Sequence, residues 1–227
     1  MATKIIVSYD GTANEADAIA LGGLFARAGA EVALAYVRHN EETVSDTEAK
    51  ELLARGAALF GDPSVPTFVV TGPSTPEGLA ALATDRGAEL IVFCSDSHTA
   101  KGHVGVGNSA QRLIEGGSFG VAIAPAAFAE RDPSQPLGTV VAVSDGDGGA
   151  RTTAESLAKA LGATVAPVVN DDAGLLVLDS RAEAEAGRVS ISSSAGYLID
   201  VARCPVLVLP RSHPLAFGSS PAPAQAA

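Results

Sequence analysis

Tryptophan is missing from this chain, and aromatic residues of every kind make up only 4% of its 227 residues. A hydrophobic core must therefore be built from alanine, valine, leucine and isoleucine. The hydrophobic fraction is still 47%, which supports a real core and argues against global disorder. Small aliphatic side chains suit a buried parallel sheet that is covered by helices.

Cysteine is also scarce, with only Cys94 and Cys204 in the chain. Both follow strand-like runs and are interpreted as small buried hydrophobic residues in a reducing compartment, not as a disulfide. No apolar run approaches the ~20 residues that a membrane helix needs, and the first residues lead into a strand without a signal segment. The sequence therefore predicts a cytoplasmic protein with no membrane partner.

Positive charge is in short supply, because 15 Lys and Arg residues face 26 Asp and Glu residues, for a net charge of -11. Such a chain repels phosphate backbones, so nucleic acid is not an expected partner. A P-loop lysine motif is missing as well. Without it or a clear base to position water, a nucleotide hydrolase is disfavoured, and no catalytic residue is predicted.

Short apolar runs alternate with helical patterns in the first half of the chain. The five runs are Lys4–Tyr9, Val32–Val37, Thr67–Thr71, Leu90–Cys94 and Val121–Ala124. A helical spacing covers about 13–28, and capping-box patterns open helices at Ser45 and Ser74. This alternation predicts a mostly parallel sheet with helices on both faces, in the flavodoxin-like order 3-2-1-4-5. The ligand crevice should lie at the carboxyl ends of strands one and four.

The stretch from Glu89 to Pro125 recurs without a gap from Gly174 to Pro210. Thr139–Val143 likewise repeats the first strand, so the architecture is a duplication. The predicted fold is two three-layer α/β/α domains, flavodoxin-like or Rossmann-like, of which the second is reduced. The predicted bounds are 1–127 for the complete domain, 128–137 for a linker, 138–210 for the truncated domain and 211–227 for a flexible tail.

The sequence leaves the secondary structure of one segment in the second half undecided. Thr164–Val169 resembles a second strand, but only Asn170–Gly174 separates it from the copy of strand four. A parallel crossover normally needs a dozen or more residues. The segment is either a frayed edge strand or no parallel strand at all.

Several motifs resemble the universal stress protein family over nearly the whole chain except the linker and tail. Asp10-Gly11-Thr12 matches its Asp-Gly-Ser start, and Phe119–Pro125 and Cys204–Pro210 look like its closing Cys-Pro-Val-Leu-Val-Val-Pro. The family's phosphate loop has glycine, two residues, glycine, nine residues, then glycine and serine or threonine. When the same spacing is counted along this chain, the four defining positions are occupied by Cys94, Ser97, Gly107 and Asn108.

The resemblance implies an ATP site in the first half. Val37 would offer its backbone to adenine, and Asp10 would lie near the nucleoside. Ser8 is a further predicted residue of this site. The phosphates would be surrounded by Cys94, Ser97, Gly107, Asn108 and Ser109. The resemblance further implies that Val121–Ala124 and Val206–Leu209 run side by side, antiparallel, as an intramolecular pseudo-dimer. Such pairing would also cover an apolar edge strand that otherwise risks aggregation. Whether two chains then form a homodimer stays open.

The phosphate loop departs from the family pattern. Cys94 and Ser97 replace two glycines, and their β-carbons crowd a site where backbone must approach phosphate closely. Gly102 and Gly105 offer glycine elsewhere in the loop. In the second half, Asp179 puts a carboxylate where phosphate would lie. We therefore expect weak or absent ATP binding in the first half and none in the second.

Other interpretations of the same residues are weaker. Gly105–Ala110 fits a dinucleotide fingerprint but does not lie in the first βα turn. Asp96, His98 and His103 share one loop but lack a further metal ligand, so no metal is predicted. Asp10 fits a turn or helix-cap aspartate as well as a nucleotide role. The sequence thus favours a non-enzymatic stress-response or regulatory protein, with a structural module that binds an unknown protein partner as the alternative.

Overall fold

The computed structural model describes residues 2–12, 14–39, 44–168 and 173–218. Strands and helices alternate through these ranges in the following order: β1 (Lys4–Ser8), α1 (Glu15–Arg27), β2 (Glu31–Arg38), α2 (Asp46–Phe60), β3 (Thr67–Thr71), α3 (Thr75–Arg86), β4 (Leu90–Cys94), α4 (Asn108–Ile114), β5 (Gly120–Ala124), β6 (Thr139–Val143), α5 (Gly149–Leu161), β7 (Thr164–Ala166), β8 (Ala173–Asp179), α6 (Ser193–Val201) and β9 (Val206–Leu209). Parts of three predicted segments lie outside the described residues: Ala13 at the helix start, Val169 at the strand end, and the tail beyond Gly218.

Local capping residues set the ends of several helices. Ser45 and Glu48 form the predicted capping box at the start of α2, each side chain bonding the other's backbone N–H. The Ser74 side chain accepts from the Glu77 N–H at the start of α3. Gly87 ends α3 in the left-handed conformation, at φ +62°, which glycine adopts without steric cost.

The first five strands form a parallel sheet in the order 3-2-1-4-5, which confirms the predicted order. Strand order reverses between β1 and β4, so the loops at their carboxyl ends diverge to opposite faces of the sheet. That divergence leaves a crevice, the usual place for a ligand in an open α/β sheet.

The last four strands repeat this pattern in mirrored order, β9-β8-β6-β7. β7 is only three residues long and pairs in parallel with β6 at the edge of the sheet. This settles the open question about Thr164–Val169, since a short edge strand is present. Because β7 is so short, its last residue, Ala166, lies opposite Val141 of β6, only two positions from Thr139, which lies opposite the first residue of β8.

The two halves share one continuous nine-stranded sheet. β5 and β9 pair in antiparallel orientation, with Val121 opposite Val208 and Ile123 opposite Val206. All other neighbouring strands of the described sheet run parallel. The sequence predicted that Val121–Ala124 and Val206–Leu209 run side by side and antiparallel, and in the structure this pairing joins the sheets of the two halves into one. The domain bounds stay a prediction.

Side chains from alternate positions of the strands feed two apolar layers, one on each face of the sheet. Ile5 and Val7 of β1 face the layer that contains α1, α2 and α5, while Ile6 faces the layer that contains α3, α4 and α6. Both layers run across both halves, so the core is continuous through the seam. None of the helices in the described ranges is long and apolar enough to cross a membrane.

The segment from Arg211 to Gly218, which we call the strap, lies against the first core layer. Leu215 and Phe217 are buried there, and the Phe217 ring stacks on Phe25 of α1 with centroids 5.6 Å apart. The Thr153 hydroxyl oxygen accepts from the Leu215 N–H at 2.9 Å. The strap therefore contacts helices of both halves, whereas the sequence predicted a flexible tail from position 211.

Candidate functional site

A pocket of about 250 Å³ opens at the carboxyl ends of β1 and β4, beside the start of α4. It lies at the strand-order reversal where the crevice was predicted. Seven of the eight predicted site residues line it: Ser8, Asp10, Cys94, Ser97, Gly107, Asn108 and Ser109. The structure thus brings these residues together, and their role in binding stays a prediction.

Val37 is the predicted residue that does not line this pocket. Its side chain is buried against α3, close enough that a β-carbon on Gly78 would lie 2.7 Å from a Val37 methyl group. The sequence prediction for Val37 concerned its backbone at the end of β2. The position of the side chain is that of an ordinary core valine.

The loop between β4 and α4 is held by the Ser95 side chain, which sequence reasoning missed. Ser95 is buried, and its hydroxyl donates to the Ala124 carbonyl at 2.6 Å while accepting from the Gly105 N–H at 3.1 Å. The second half repeats this arrangement. Ser180 donates to the Leu209 carbonyl at 2.8 Å and accepts from the Ser190 N–H at 3.0 Å. The signal was available, because serine stands at the same place in both repeats.

The loop between β4 and α4 requires glycine at positions outside the predicted phosphate-loop pattern of Cys94, Ser97, Gly107 and Asn108. Gly107 has φ −71°, and a β-carbon there would meet nothing within 4 Å. Gly102, in contrast, has φ +76°, and a β-carbon on Gly105 would lie 2.0 Å from the Thr99 hydroxyl oxygen. Gly102 and Gly105, which lie outside that pattern, are therefore the glycines that the loop conformation requires.

Glu15, in the first turn of α1, is a pocket residue that sequence reasoning also missed. Only 3% of it is exposed, and its Oε2 accepts from the N–H groups of both Asp10 and Gly11 at 2.5 Å. The favourable place of an acidic residue in a first helical turn was a weak signal. Its side chain turns back to the β1–α1 turn, which only the folded chain reveals.

Burial dominates the protonation chemistry of the pocket. It raises the pKa of Glu15 to about 9, helped by hydrogen bonding with the Asp10 side chain and by its charge. Burial likewise raises the pKa of the Cys94 thiol to about 12, with smaller contributions from the charges of Glu15 and Asp10. A protonated, half-buried thiol is a poor nucleophile. Cys94 therefore fits the role of a residue that lines the pocket, not that of a nucleophile.

The equivalent turn of the second half is held by Asp179, at the end of β8. Only 1% of Asp179 is exposed. Its carboxylate accepts from the Ser144 hydroxyl at 2.5 Å and from the backbone N–H groups of Asp145 at 2.8 Å and Ala150 at 3.4 Å. A carboxylate of the chain therefore also accepts from the N–H of Asp145, which follows β6 as Asp10 follows β1.

The carboxylate among the loop residues that suggested a metal has a local partner. The Asp96 carboxylate accepts from the His98 backbone N–H at 3.0 Å, which is a common turn arrangement. Within the described ranges, no group of three or more His, Cys, Asp or Glu side chains is arranged to hold a metal ion.

Comparison with known proteins identifies relatives of this fold. Neither a family model nor a curated protein matches the chain. A universal stress protein from Pseudomonas aeruginosa UCBPP-PA14 matches with a TM-score of 0.65 at 16% identity, covering 92% of this chain and 93% of that one. One from Archaeoglobus fulgidus DSM 4304 matches with a TM-score of 0.64 at 14% identity, covering 92% and 98%.

A functionally unknown protein from Pseudomonas aeruginosa PAO1 matches with a TM-score of 0.61 at 16% identity, covering 92% of each chain. At these identities the likeness establishes the fold. The chain has the universal stress protein fold over nearly its whole length, as the sequence resemblance predicted.

Proposed function

We propose that this chain is a non-enzymatic stress-response or regulatory protein of the universal stress type, with weak or absent ATP binding in its first half. The observation that carries the proposal is the pocket at the strand-order reversal, lined by seven residues of the predicted site. It stands on a fold shared with universal stress proteins over most of the chain. Fold alone does not assign function, so the argument rests on the pocket.

The lining of the pocket opposes tight binding of a polyphosphate. The side chains of Cys94 and Ser97 take space where the family pattern has glycine, and the carboxyl groups of Asp10 and Asp96 also line the cavity. Burying phosphate beside carboxyl groups is unfavourable without compensating cations. The volume of about 250 Å³ also falls below the roughly 300–1,000 Å³ typical of small-molecule pockets.

A nucleotide bound here would act as a switch and not as fuel. It would shift the protein between two states through a difference in affinity for them. The proposal needs no metal ion and no catalytic base. It places the protein in the cytoplasm, where adenine nucleotides are abundant.

A thermal-shift series with ATP, combined with isothermal titration, tests this proposal. A Kd of ~1 mM would raise the melting temperature by roughly 1 °C at 1 mM ATP, since mass action then supplies only ~0.4 kcal/mol. A rise of more than ~5 °C at the same concentration would require a Kd near or below ~10 μM. That result would reject weak binding.

The second candidate is a structural or protein-interaction module that binds no nucleotide. The internal carboxyl groups on both turns, Glu15 in one half and Asp179 in the other, favour it. A flat thermal series up to millimolar ATP is its expected result. With this candidate we also propose an unidentified protein partner and a homodimer. Light scattering of the homodimer would give twice the 22.7 kDa chain mass.

A further inference from the structure

We propose that a second pocket, between α1, α2 and the joining segment (residues 128–137, between β5 and β6), binds a single-chain amphipathic anion such as a medium-chain fatty acid. This pocket shares no lining residue with the pocket at the strand-order reversal, so the inference does not depend on nucleotide binding. The apolar chain of the ligand would lie against the hydrophobic walls, and its carboxylate would pair with Arg27 and Arg131.

The cavity is a concave apolar site built by three elements. Its volume of about 390 Å³ lies within the roughly 300–1,000 Å³ typical of small-molecule pockets. Ile19 and Leu24 of α1 line it, together with Phe60 of α2 and with Phe128 and Leu137 of the joining segment. Phe60 and Phe128 are only half-buried. Contact with an apolar chain would remove their exposed surface from water, which is favourable.

The joining segment is held in place as a wall of this cavity. The carboxylate of Asp17, which is buried in α1, accepts from the Ala127 N–H at 2.8 Å and from the Ala129 N–H at 2.7 Å. Further along the segment, the Arg131 guanidinium donates to the Pro136 carbonyl at 2.5 Å. These bonds order the wall before a ligand arrives, and preorganisation lowers the entropic cost of binding.

The charged part of the lining is mostly positive, although the whole chain has a net charge of -11. Arg27 and Arg131 both line the cavity, and among the described residues neither forms a salt bridge. Asp132 lines it as well, but one of its carboxylate oxygens accepts from the Ser134 N–H at 2.9 Å and from its hydroxyl at 2.7 Å. Because a guanidinium group presents paired donors to a carboxylate, a carboxylate head group complements this lining.

A second cavity, of about 290 Å³, adjoins the first. Leu24, Arg27 and Leu137 line both cavities, and the second one extends to Ala160 and Leu161 at the end of α5. A ligand longer than the first cavity would therefore contact the second half of the chain as well as α1 and α2. This continuity favours an elongated molecule over a compact one.

Gly23 lines the cavity at a place where the fold does not require glycine. A β-carbon on Gly23 would meet only an Arg27 nitrogen, at 4.0 Å, whereas one on the neighbouring Gly22 would lie 2.7 Å from a Val7 methyl group. Gly23 also lies inside α1, where glycine is less favourable than other residues. Gly23→Leu should therefore fill part of the cavity and leave the helix intact.

Isothermal titration of the whole chain at pH 7 with decanoate, decanol and acetate tests the inference. The wild type should bind decanoate at least ~10-fold more tightly than decanol, which has the chain without the charge. Acetate, which has the charge without the chain, should not bind. Gly23→Leu should weaken decanoate binding at least ~10-fold, while its melting temperature stays at or above that of the wild type.

Arg27→Gln separates the role of the head group from that of the chain. It should weaken decanoate binding ~5-fold or more and leave decanol binding within ~2-fold, because only the ion pair is lost. Arg112→Gln is the matched control. Arg112 is an exposed residue of α4, on the opposite face of the sheet, and its loss removes the same charge far from the cavity. Decanoate binding should then change by less than ~2-fold.

Four results would overturn the inference. The first is no decanoate binding by the wild type up to ~1 mM, and if Gly23→Leu then also converts a dimer to a monomer in light scattering, the cavity holds a second copy of the chain. The second is equal affinity for decanol and decanoate. The third is unchanged decanoate binding in a folded Gly23→Leu, and the fourth is an equal loss in Arg27→Gln and Arg112→Gln. If Gly23→Leu fails to fold, the arginine variants and decanol decide.

Discussion

At the scale of single residues, buried carboxyl groups hold turns together in this protein. Glu15 accepts from two N–H groups of the β1–α1 turn, and Asp179 accepts from two in the second half. Asp17 is a third case, since it accepts from Ala127 and Ala129. Buried N–H groups need acceptors. These carboxyl groups therefore stabilise the folded chain whether or not a ligand is bound.

The raised pKa of Glu15 predicts a pH dependence of stability. Its ordinary pKa of 4.5 rises to about 9 in the folded state, so folding favours the protonated form. The stabilising contribution is full below about pH 4.5 and is lost as pH rises towards 9. Glu15→Gln mimics the protonated form and cannot titrate. Its melting temperature should therefore rise relative to the wild type between pH 5 and 9, and a constant difference would contradict the prediction.

Asp17→Asn should destabilise the protein by ~1–3 kcal/mol. Asp17 is 4% exposed, and its two oxygens accept from Ala129 at 2.7 Å and Ala127 at 2.8 Å. Asparagine keeps one acceptor oxygen and turns an amide donor towards the other N–H. Urea denaturation measures the loss. The control is Glu155→Gln, whose exposed ion pair with Arg151 should be worth less than ~1 kcal/mol.

Among the elements, the strap and the loops that follow β4 and β8 help to hold the two halves together. Ser95 and Ser180 each tie a loop to the last strand of their own half. These loops also cross the seam, because Val104 donates to the Ala202 carbonyl and Val189 donates to the Gly117 carbonyl. The duplicated contacts show that the seam is held by loops as well as by β5 and β9.

Phe217→Ala should destabilise the protein by ~3 kcal/mol. The ring is 7% exposed and stacks on Phe25, so its removal leaves a cavity under the strap. The matched control is Leu59→Ala on α2, since Leu59 is 59% exposed and should change stability by less than ~0.5 kcal/mol. Chemical denaturation of both variants compares them directly. Equal losses would show that the strap does not contribute to the core.

At the scale of the whole molecule, the single sheet and the shared core layers make the two halves interdependent. β5 and β9 are both fully buried strands at the centre of the sheet. Separating the halves would expose these apolar strands and their unpaired backbone groups to water. Folding of one half alone therefore leaves an aggregation-prone edge, which pairing removes.

The shared sheet predicts a single cooperative unfolding transition. Far-UV circular dichroism reports on both halves, while tyrosine fluorescence is dominated by the environment of Tyr9, Tyr36 and Tyr197 because the chain has no tryptophan. The two urea transitions should coincide. Two separated transitions would mean that the halves unfold independently in spite of the seam.

Sequence patterns were enough to predict the alternation of strands and helices and the bounds of β3 and β6. They also predicted the capping at Ser45 and Ser74. Periodicity and capping are set by residues within a few positions of one another. The duplication likewise followed from comparison of Glu89–Pro125 with Gly174–Pro210. The strand order then followed from general rules of connection.

The folded structure was needed to show that Phe217 is buried beside Phe25, and that the carboxyl groups of Glu15 and Asp179 accept from backbone N–H groups of the turns. In the sequence, Glu15 is one of many surface-like acidic residues, and Asp179 is separated from Asp145 by a helix and a strand. Their function depends on which backbone donors lie within hydrogen-bonding distance. That distance is set by packing between segments far apart in the chain, which no local pattern encodes.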